Sequence, residues 1–477
     1  MKRAWLQISL AGIACAASAA MAQIEGHWLG SLQIGSLSLR IALEVTRAAD
    51  GAFITTMDSL DQGVFGIKVA KTAFDAPSRA FIFEAPNLAA TYEGILSSDG
   101  KKISGKFTQA GVDRELIFER QTSKPTLERP QTPKGPFPYK EEEVSYENKS
   151  AGIKIAGTLS LPAGDGPFPA VLLLTGSGAQ DRNESIMGHK PFWVIADYLT
   201  RRGIAVLRVD DRGVGGTGGN LMESTSSELA DDALAGVEFL RSRREVDAKR
   251  IGLIGHSEGG IIGPLAATKS SNIAFVVMLA GTGVPGEEIL YMQGGLIAKV
   301  MGATDEQVAE QISGQKEIFA ILKSEKSLEE KRSEVVAVLR KRVEALPEEE
   351  RKSLGNVDAY VMMQTMQVAN KWFVHFVSYD PRPVLKKLSV PVLVLNGELD
   401  LQVPAAQNLP EIHRCLEEGG NSDYTIIKFA GLNHLFQSTK TGSPTEYGTI
   451  TETISPQVLG AIGDWIVRKF GAPPTAN

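Results

Sequence analysis

The chain has 477 residues, of which 43% are hydrophobic, 22% charged and only 7% aromatic, with 50 basic against 56 acidic side chains. That length allows up to three domains and a large buried core, and the composition excludes a disordered, fibrous or small disulfide-stapled protein. A formal net charge of −6 argues against a mainly electrostatic hold on nucleic-acid phosphates, so no nucleic-acid partner is expected.

In chain order, the first 22 residues have the pattern of a secretory signal peptide. Lys2 and Arg3 precede a short apolar run from Ala4 to Ala19, and Ala20-Met21-Ala22 offers small residues for cleavage before Gln23. The run is shorter than the roughly 20 apolar residues of a membrane span, and no other segment is long and apolar enough to be one. Cleavage after Ala22 leaves 48 basic against 56 acidic residues and Cys415 as the single cysteine. One cysteine cannot form an internal disulfide, even in an oxidising compartment. The expectation is a soluble mature protein in the periplasm or outside the cell.

Residues 23–120 carry short alternating runs, such as Leu37-Ser-Leu-Arg-Ile-Ala-Leu-Glu-Val45, punctuated by Asp50-Gly51, Gln62-Gly63 and Asp99-Gly100. Period-two alternation at this spacing predicts a small all-β domain, an antiparallel sandwich or barrel. Residues 121–141 hold prolines at 125, 130, 133, 136 and 138, which cannot donate the bonds of a helix or central strand, so a stiff linker is expected.

From residue 142 to 477 the rhythm is different. Apolar strand-like runs at 170–174, 204–209, 251–254, 275–279, 392–395 and 424–429 alternate with helical patterns at 191–202, 227–244 and 456–470. Continuous Val/Ile/Leu strands between amphipathic helices indicate an α/β fold with a mostly parallel sheet covered on both faces. Between about 284 and 380 the chain is helical and charge-rich, with no strand signal. Such an insertion between two parallel strands reads as a helical cap over the strand ends.

The sharpest chemical signal is Gly255-His256-Ser257-Glu258-Gly259, directly after an apolar strand and before a helix rich in small residues. A tight strand-to-helix turn of this kind exposes a serine above the sheet edge. Its flanking glycines avoid Cβ collisions, and the backbone N–H of Glu258 sits at a helix start that favours a developing oxyanion. The bland alternative is a Gly/Ser helix cap.

A serine nucleophile needs a base, and the base needs a partner that fixes its tautomer. Six histidines are available. His27 lies in the β domain, His375 in the cap and His413 on an amphipathic stretch. His256 adjoins the serine but is expected to project away from it, and His189 precedes the nucleophile. His434 follows the last strand on the loop Gly431-Leu-Asn-His, where a base reaches over the sheet edge. For the acid, Asp400 lies just past the strand of Val392-Leu-Val-Leu-Asn-Gly-Glu-Leu-Asp, with Gly397 letting the chain turn and Glu398 as its rival. The loop Thr175-Gly-Ser-Gly-Ala-Gln offers the backbone N–H of Ser177 as a second oxyanion donor. Gly213-Val-Gly-Gly-Thr-Gly218 also satisfies a dinucleotide-binding spacing, but no helix opens there at once. Asp210-Asp211-Arg212 beside it reads as an ion-paired structural turn. No Cys/His spacing suggests a metal, and no cofactor is expected.

Together these pieces, in this order over about 330 residues, resemble the α/β-hydrolase superfamily. They are similar to its bacterial branch of secreted esterases, dienelactone hydrolase-like and serine aminopeptidase-like enzymes with an N-terminal β domain. The resemblance implies Ser257 as nucleophile, Asp400 as acid and His434 as base, with Ser177 and Glu258 at the oxyanion positions. Thr175 stands where commoner members carry histidine. The expected activity is hydrolysis of a small-molecule carboxylic ester through an acyl-enzyme, with a peptidase or thioesterase on the same triad as the alternative. A third reading has the β domain bind glycan through Val64-Phe65, Phe81-Ile-Phe83 and Tyr92, residues that suit a hydrophobic core equally well. Oligomeric state has no signature in the sequence.

Overall fold

The computed structural model describes residues 23–34, 37–109 and 111–471; the signal-like stretch 1–22 lies outside the described residues. The chain divides into two compact units, one running to Ser59 and resuming over Phe65–Pro125, the other comprising Leu60–Val64 and everything from Thr126.

The first unit is built on strands β1 (Gly26–Ile34), β2 (Leu37–Arg47), β3 (Phe53–Ser59), β4 (Val64–Lys68), β5 (Lys71–Asp75), β6 (Ala80–Ala85), β7 (Ala90–Leu96), β8 (Lys102–Gln109) and β9 (Val112–Gln121). They form one nine-stranded sheet in the order β4-β3-β2-β1-β9-β8-β7-β6-β5. The alternation seen in the sequence becomes an inside and an outside. In β7, Ala90, Tyr92, Gly94 and Leu96 are buried while Thr91, Glu93 and Ile95 face out. The sheet is curled rather than split in two. Val69 N–H donates to Thr55 O (3.3 Å) and Ala70 N–H to Glu84 O (2.9 Å), joining its two ends, and Phe53 meets Phe74 edge-on at 6.0 Å. Trp28, Phe81, Phe83, Tyr92 and Phe118 fill the interior. Three of the aromatics considered for a glycan face are therefore core, and Phe65 alone of them is half exposed.

In the second unit, residues 126–139 form no helix or strand, consistent with their prolines. They are held by side chains: Arg129 donates to the carbonyls of Met187, Gly448 and Ile450, and Gln131 to that of Ile454. The sheet then comprises β10 (Lys140–Asn148), β11 (Ile153–Leu161), β12 (Phe168–Leu174), β13 (Ala205–Val209), β14 (Val246–His256), β15 (Phe275–Leu279), β16 (Val392–Gly397) and β17 (Tyr424–Phe429). Its order is β10-β11-β13-β12-β14-β15-β16-β17. The hairpin β10–β11 joins β13 antiparallel, and every later pairing is parallel. The opening Lys-Glu-Glu-Glu of β10 disguises a strand, because an edge strand tolerates and even favours such charge.

The inner parallel strands β12, β13, β14, β15 and β16 carry apolar runs of Val, Ile, Leu and Ala because both faces are buried there, while the edge strand β17 is only partly covered. Helices Ser226–Arg241 and Gly259–Lys269 pack into one face, Pro191–Thr200 and Pro456–Phe470 into the other. Thr225 and Glu228 close a reciprocal capping box that fixes the start of the first of these. Between β15 and β16 the chain leaves the sheet for seven helices, from Gly286–Val300 to Arg382–Leu385. The order places the carboxyl ends of β12 and β14 side by side, Leu174 opposite Gly255. This is the point where the strand order reverses and where α/β sheets open a crevice.

The interior of the β unit yields a stability test. The Tyr92 hydroxyl is buried between the carbonyls of Ile103 (3.1 Å) and Leu116 (3.0 Å). Tyr92→Phe should cost on the order of 1–2 kcal/mol, read from chemical denaturation of the full chain.

Candidate active site

Four loops at the carboxyl ends of the parallel strands build the site. The first follows β14. Ser257 has φ +53°, in the left-handed region that a side chain rarely adopts. Its N–H donates to Leu279 O at 2.8 Å and its carbonyl accepts from Gly260 N–H at 2.9 Å. The glycines around it answer to space rather than to φ. A Cβ on Gly255 would lie 1.9 Å from Gly259 O, and one on Gly259 would lie 2.2 Å from Leu174 O. Only glycine lets the helix Gly259–Lys269 start so close to β12 and β14, and that start aims Ser257 out of the sheet.

The second and third loops follow β16 and β17. His434 Nδ1 lies 2.9 Å from Asp400 Oδ2, with the two residues 5% and 2% exposed. The other carboxylate oxygen of Asp400 accepts from the backbone N–H groups of Gln402 and Val403, both at 2.8 Å. Glu398 points away: it is half exposed and sits near Lys428 (3.6 Å) and Gly431 N–H. Gly397 is needed for a different reason from the turn expected of it. A Cβ there would stand 2.3 Å from Leu432 O and 2.6 Å from Asn433 O, so the glycine lets the histidine loop lie directly on the acid strand.

The fourth loop follows β12. Asp211 clamps it at both ends, accepting from Thr175 Oγ1 at 2.7 Å and from Gln180 N–H at 2.9 Å. Between these anchors a Cβ on Gly176 would lie 3.2 Å from the Ser257 Cβ, so the loop passes directly over the elbow. Among the described residues the backbone N–H groups of Ser177 and Glu258 have no acceptor. Burial pushes the Asp211 carboxyl up to about 7, partly offset by the two donors. Its neighbours form the ion pairs expected of this turn, Asp210 with Arg182 (2.7 Å) and Arg212 with Asp232 (2.6 Å).

These loops and the cap enclose a cavity of about 410 Å³ whose lining includes Ser177, Ser257, Glu258 and His434. Its outer wall is apolar, from Ile289, Leu290, Trp372, Phe373, Phe376 and Val403. All five residues singled out in the sequence thus converge, four on the cavity wall and Asp400 immediately behind His434. The cap is tied to the elbow through Trp372, whose indole N–H donates to both Glu258 oxygens (2.9 and 3.0 Å). Ser226 Oγ donates to the same carboxylate at 2.7 Å, and burial raises the Glu258 carboxyl above its usual range.

Two neighbours of His434 were placed by the structure alone. His256 lines the cavity, and its ring centroid is 4.7 Å from that of His434. Glu184, which carried no motif signal, is bonded to His256 Nδ1 at 2.8 Å. His189 is buried between Thr453 Oγ1 (2.9 Å) and Tyr447 O (3.0 Å), which makes it structural. Burial, first, and Arg129 nearby push it down to about 4.

Two outcomes follow from this packing. Gly259→Ala forces a methyl into the Leu174 carbonyl and should destabilise the protein by about 1–3 kcal/mol or prevent its folding, read by thermal melting. The folded state keeps a proton on Asp211 that the unfolded chain releases near 3.8. This group's contribution to stability therefore falls as pH rises from about 4 to about 7. Asp211→Asn keeps both hydrogen bonds possible and removes that dependence. Its stability relative to the wild type should improve across that window, by on the order of 1–3 kcal/mol, in paired denaturation curves at pH 5 and pH 8.

Comparison with known proteins places this arrangement in context. The family model for serine aminopeptidase, S33 (Hydrolase_4) matches residues 191–438, a stretch that contains Ser257, Asp400 and His434. Esterase EstD of Thermotoga maritima is 29% identical over 389 residues, covering 79% of this chain and 79% of its own. Acyl-coenzyme A thioesterase 1 of Mus musculus is 31% identical over 131 residues, 27% of each chain. Among solved structures, an esterase of Pyrococcus furiosus aligns over 72% of this chain and 98% of its own with 15% identity and a TM-score of 0.43. The chain belongs to the serine aminopeptidase S33 (Hydrolase_4) family and is an α/β hydrolase, an enzyme, preceded in sequence by an antiparallel β domain.

Proposed function

We propose that the protein is an exported serine hydrolase that cleaves small carboxylic esters, with Ser257 as nucleophile, His434 as base and Asp400 as the carboxylate that orients it. The observation that carries the reading is the buried 2.9 Å contact between His434 Nδ1 and Asp400, beside a serine held at φ +53° on the same cavity wall. With Nδ1–H given to Asp400, Nε2 is left as the basic nitrogen that takes the Ser257 proton. Ser257 Oγ attacks the ester carbonyl, and the oxygen that becomes negative is received by the N–H groups of Ser177 and Glu258. Each such donor contributes roughly 3–4 kcal/mol to the transition state. Collapse expels the alcohol with the proton from His434, and water activated by the same imidazole then releases the acid.

The cavity favours an uncharged ester over the amide and thioester alternatives. Its lining carries no Lys or Arg to receive the phosphates of a coenzyme A thioester. Its carboxylates, Glu184 and Glu258, are already bonded to His256 and to Trp372 and Ser226, which leaves no free anion for a peptide's terminal ammonium. A volume of about 410 Å³ suits a small to medium acyl or aryl group. Export rests on residues 1–22. Among the described residues no helix is long and apolar enough to cross a membrane.

Ser257→Ala should lower kcat on a short p-nitrophenyl ester by about 10⁴-fold or more without changing the melting temperature; wild-type turnover in that variant defeats the assignment. Asp400→Asn should cost about 10⁴-fold, whereas Glu398→Gln should leave the rate within about twofold. Aminoacyl-anilides and acyl-coenzyme A thioesters, run beside the esters, should give the lower kcat/KM. The mass of the mature protein from cells should correspond to a chain beginning at Gln23.

A further inference from the structure

Behind His434 lies a second acid–imidazole pair that the reaction outlined above does not use. His256 is buried, and its Nδ1 stands 2.8 Å from Glu184 Oε1 while its Nε2 stands 3.0 Å from the backbone carbonyl of His434. Both partners are acceptors. The carbonyl has no proton to give, and Glu184 Oε1 already accepts the Gly176 N–H at 2.9 Å. An imidazole between two acceptors satisfies both by donating from both nitrogens, which makes it an imidazolium. Burial opposes that charge, but the Glu184 carboxylate and the His434 carbonyl outweigh it and hold His256 above its ordinary value.

The backbone bears out the purpose of the pair. Glu184 sits at φ +53°, and Met187 in the same loop at φ +48°. A left-handed glutamate persists only where its surroundings over-determine it. The Asp181 turn holds that backbone, with Glu184 N–H donating to Asp181 O at 2.8 Å, and from it the carboxylate reaches three loops at once: the Gly176 loop directly, the elbow through the His256 ring, and the His434 loop through the ring's far nitrogen. Each of these loops contributes one group to the proposed chemistry, namely Ser177 N–H, Ser257 and His434.

We propose that Glu184 and His256 are positioning residues for ester hydrolysis, a non-reacting ion pair that sets the His434 loop and the Ser177 loop against the Ser257 elbow. The inference rests on the triad reading given above. Because the pair is net neutral, it places the base without opposing the imidazolium that forms on His434 during turnover, although the two rings are 4.7 Å apart. A hydrophobic side chain of the same size could fill the space but could not hold the His434 carbonyl.

The test uses the full-length mature protein and a p-nitrophenyl ester, with kcat expressed per active site titrated to completion by a fluorophosphonate, so that loss of folded protein does not count as loss of rate. In Glu184→Gln the amide cannot accept from Gly176 and charge His256 together. Its kcat per site should fall about tenfold or more while KM stays within about threefold, since displacement of a reacting group by a fraction of an ångström acts on the chemical step. His256→Gln puts an amide N–H near the position of Nε2 and keeps the bond to the His434 carbonyl. His256→Asn puts it near Nδ1 and keeps only Glu184. H256Q should therefore retain about tenfold more kcat per site than H256N, an order that a purely structural role would not produce. Wild-type kcat per site in E184Q, or H256N equal to or better than H256Q, overturns the proposal. If E184Q fails to fold, the His256 pair decides alone. A wild-type protein no faster than S257A would instead overturn the triad reading, a result distinguishable from either.

Discussion

One backbone residue in an unfavourable conformation organises this molecule. Ser257 is held at φ +53° where the strand before it and the helix after it pack tightly against each other and against β12, and Gly255 and Gly259 make that packing possible. Nothing in the serine itself prefers that geometry. The surrounding sheet imposes it, and a core of Val, Ile and Leu buried on both faces supplies the stabilisation that the strain draws on.

Around this fixed point the protein buries three carboxylates, Glu184, Glu258 and Asp400, and partly covers a fourth, Asp211, each with its own donors. An unpaired charge in such surroundings would cost several kcal/mol, so each donor set determines what the acid can do. Asp400 takes two backbone N–H groups and an imidazole. Asp211 has only a threonine hydroxyl and one backbone N–H against its desolvation, and is pushed up to about 7. Glu258 spends its acceptors on Trp372 and Ser226, which ties the cap to the elbow and closes the cavity wall. The polar groups therefore locate loops relative to one another, while the hydrophobic core sets only the layers they rise from.

The cap divides these roles differently. Its helices bring apolar side chains, Ile289, Leu290, Phe373 and Phe376, over the reactive end of the sheet and no cation. The strand ends thus supply the polar groups of the cavity, and the insertion between β15 and β16 supplies most of its apolar wall.

Much of this was legible in the chain alone. Strong period-two and helical patterns marked the β domain, the parallel strands and the cap, and the strand Phe275–Leu279 and the helix Pro456–Phe470 fall where their patterns end. The convergence of Ser257, Asp400, His434, Ser177 and the Glu258 N–H was readable because each lies just past an apolar strand, and a strand end has one direction in which to project. Composition failed at β10, whose charges suit an edge strand as well as a linker, and it could not tell a sandwich from one curled sheet, since both alternate with the same period. The place of Glu184, and the contact of His256 with His434, were decided only in three dimensions. Both depend on where loops 72 and 178 residues apart in sequence come to rest, and such contacts are set by packing rather than by any local spacing.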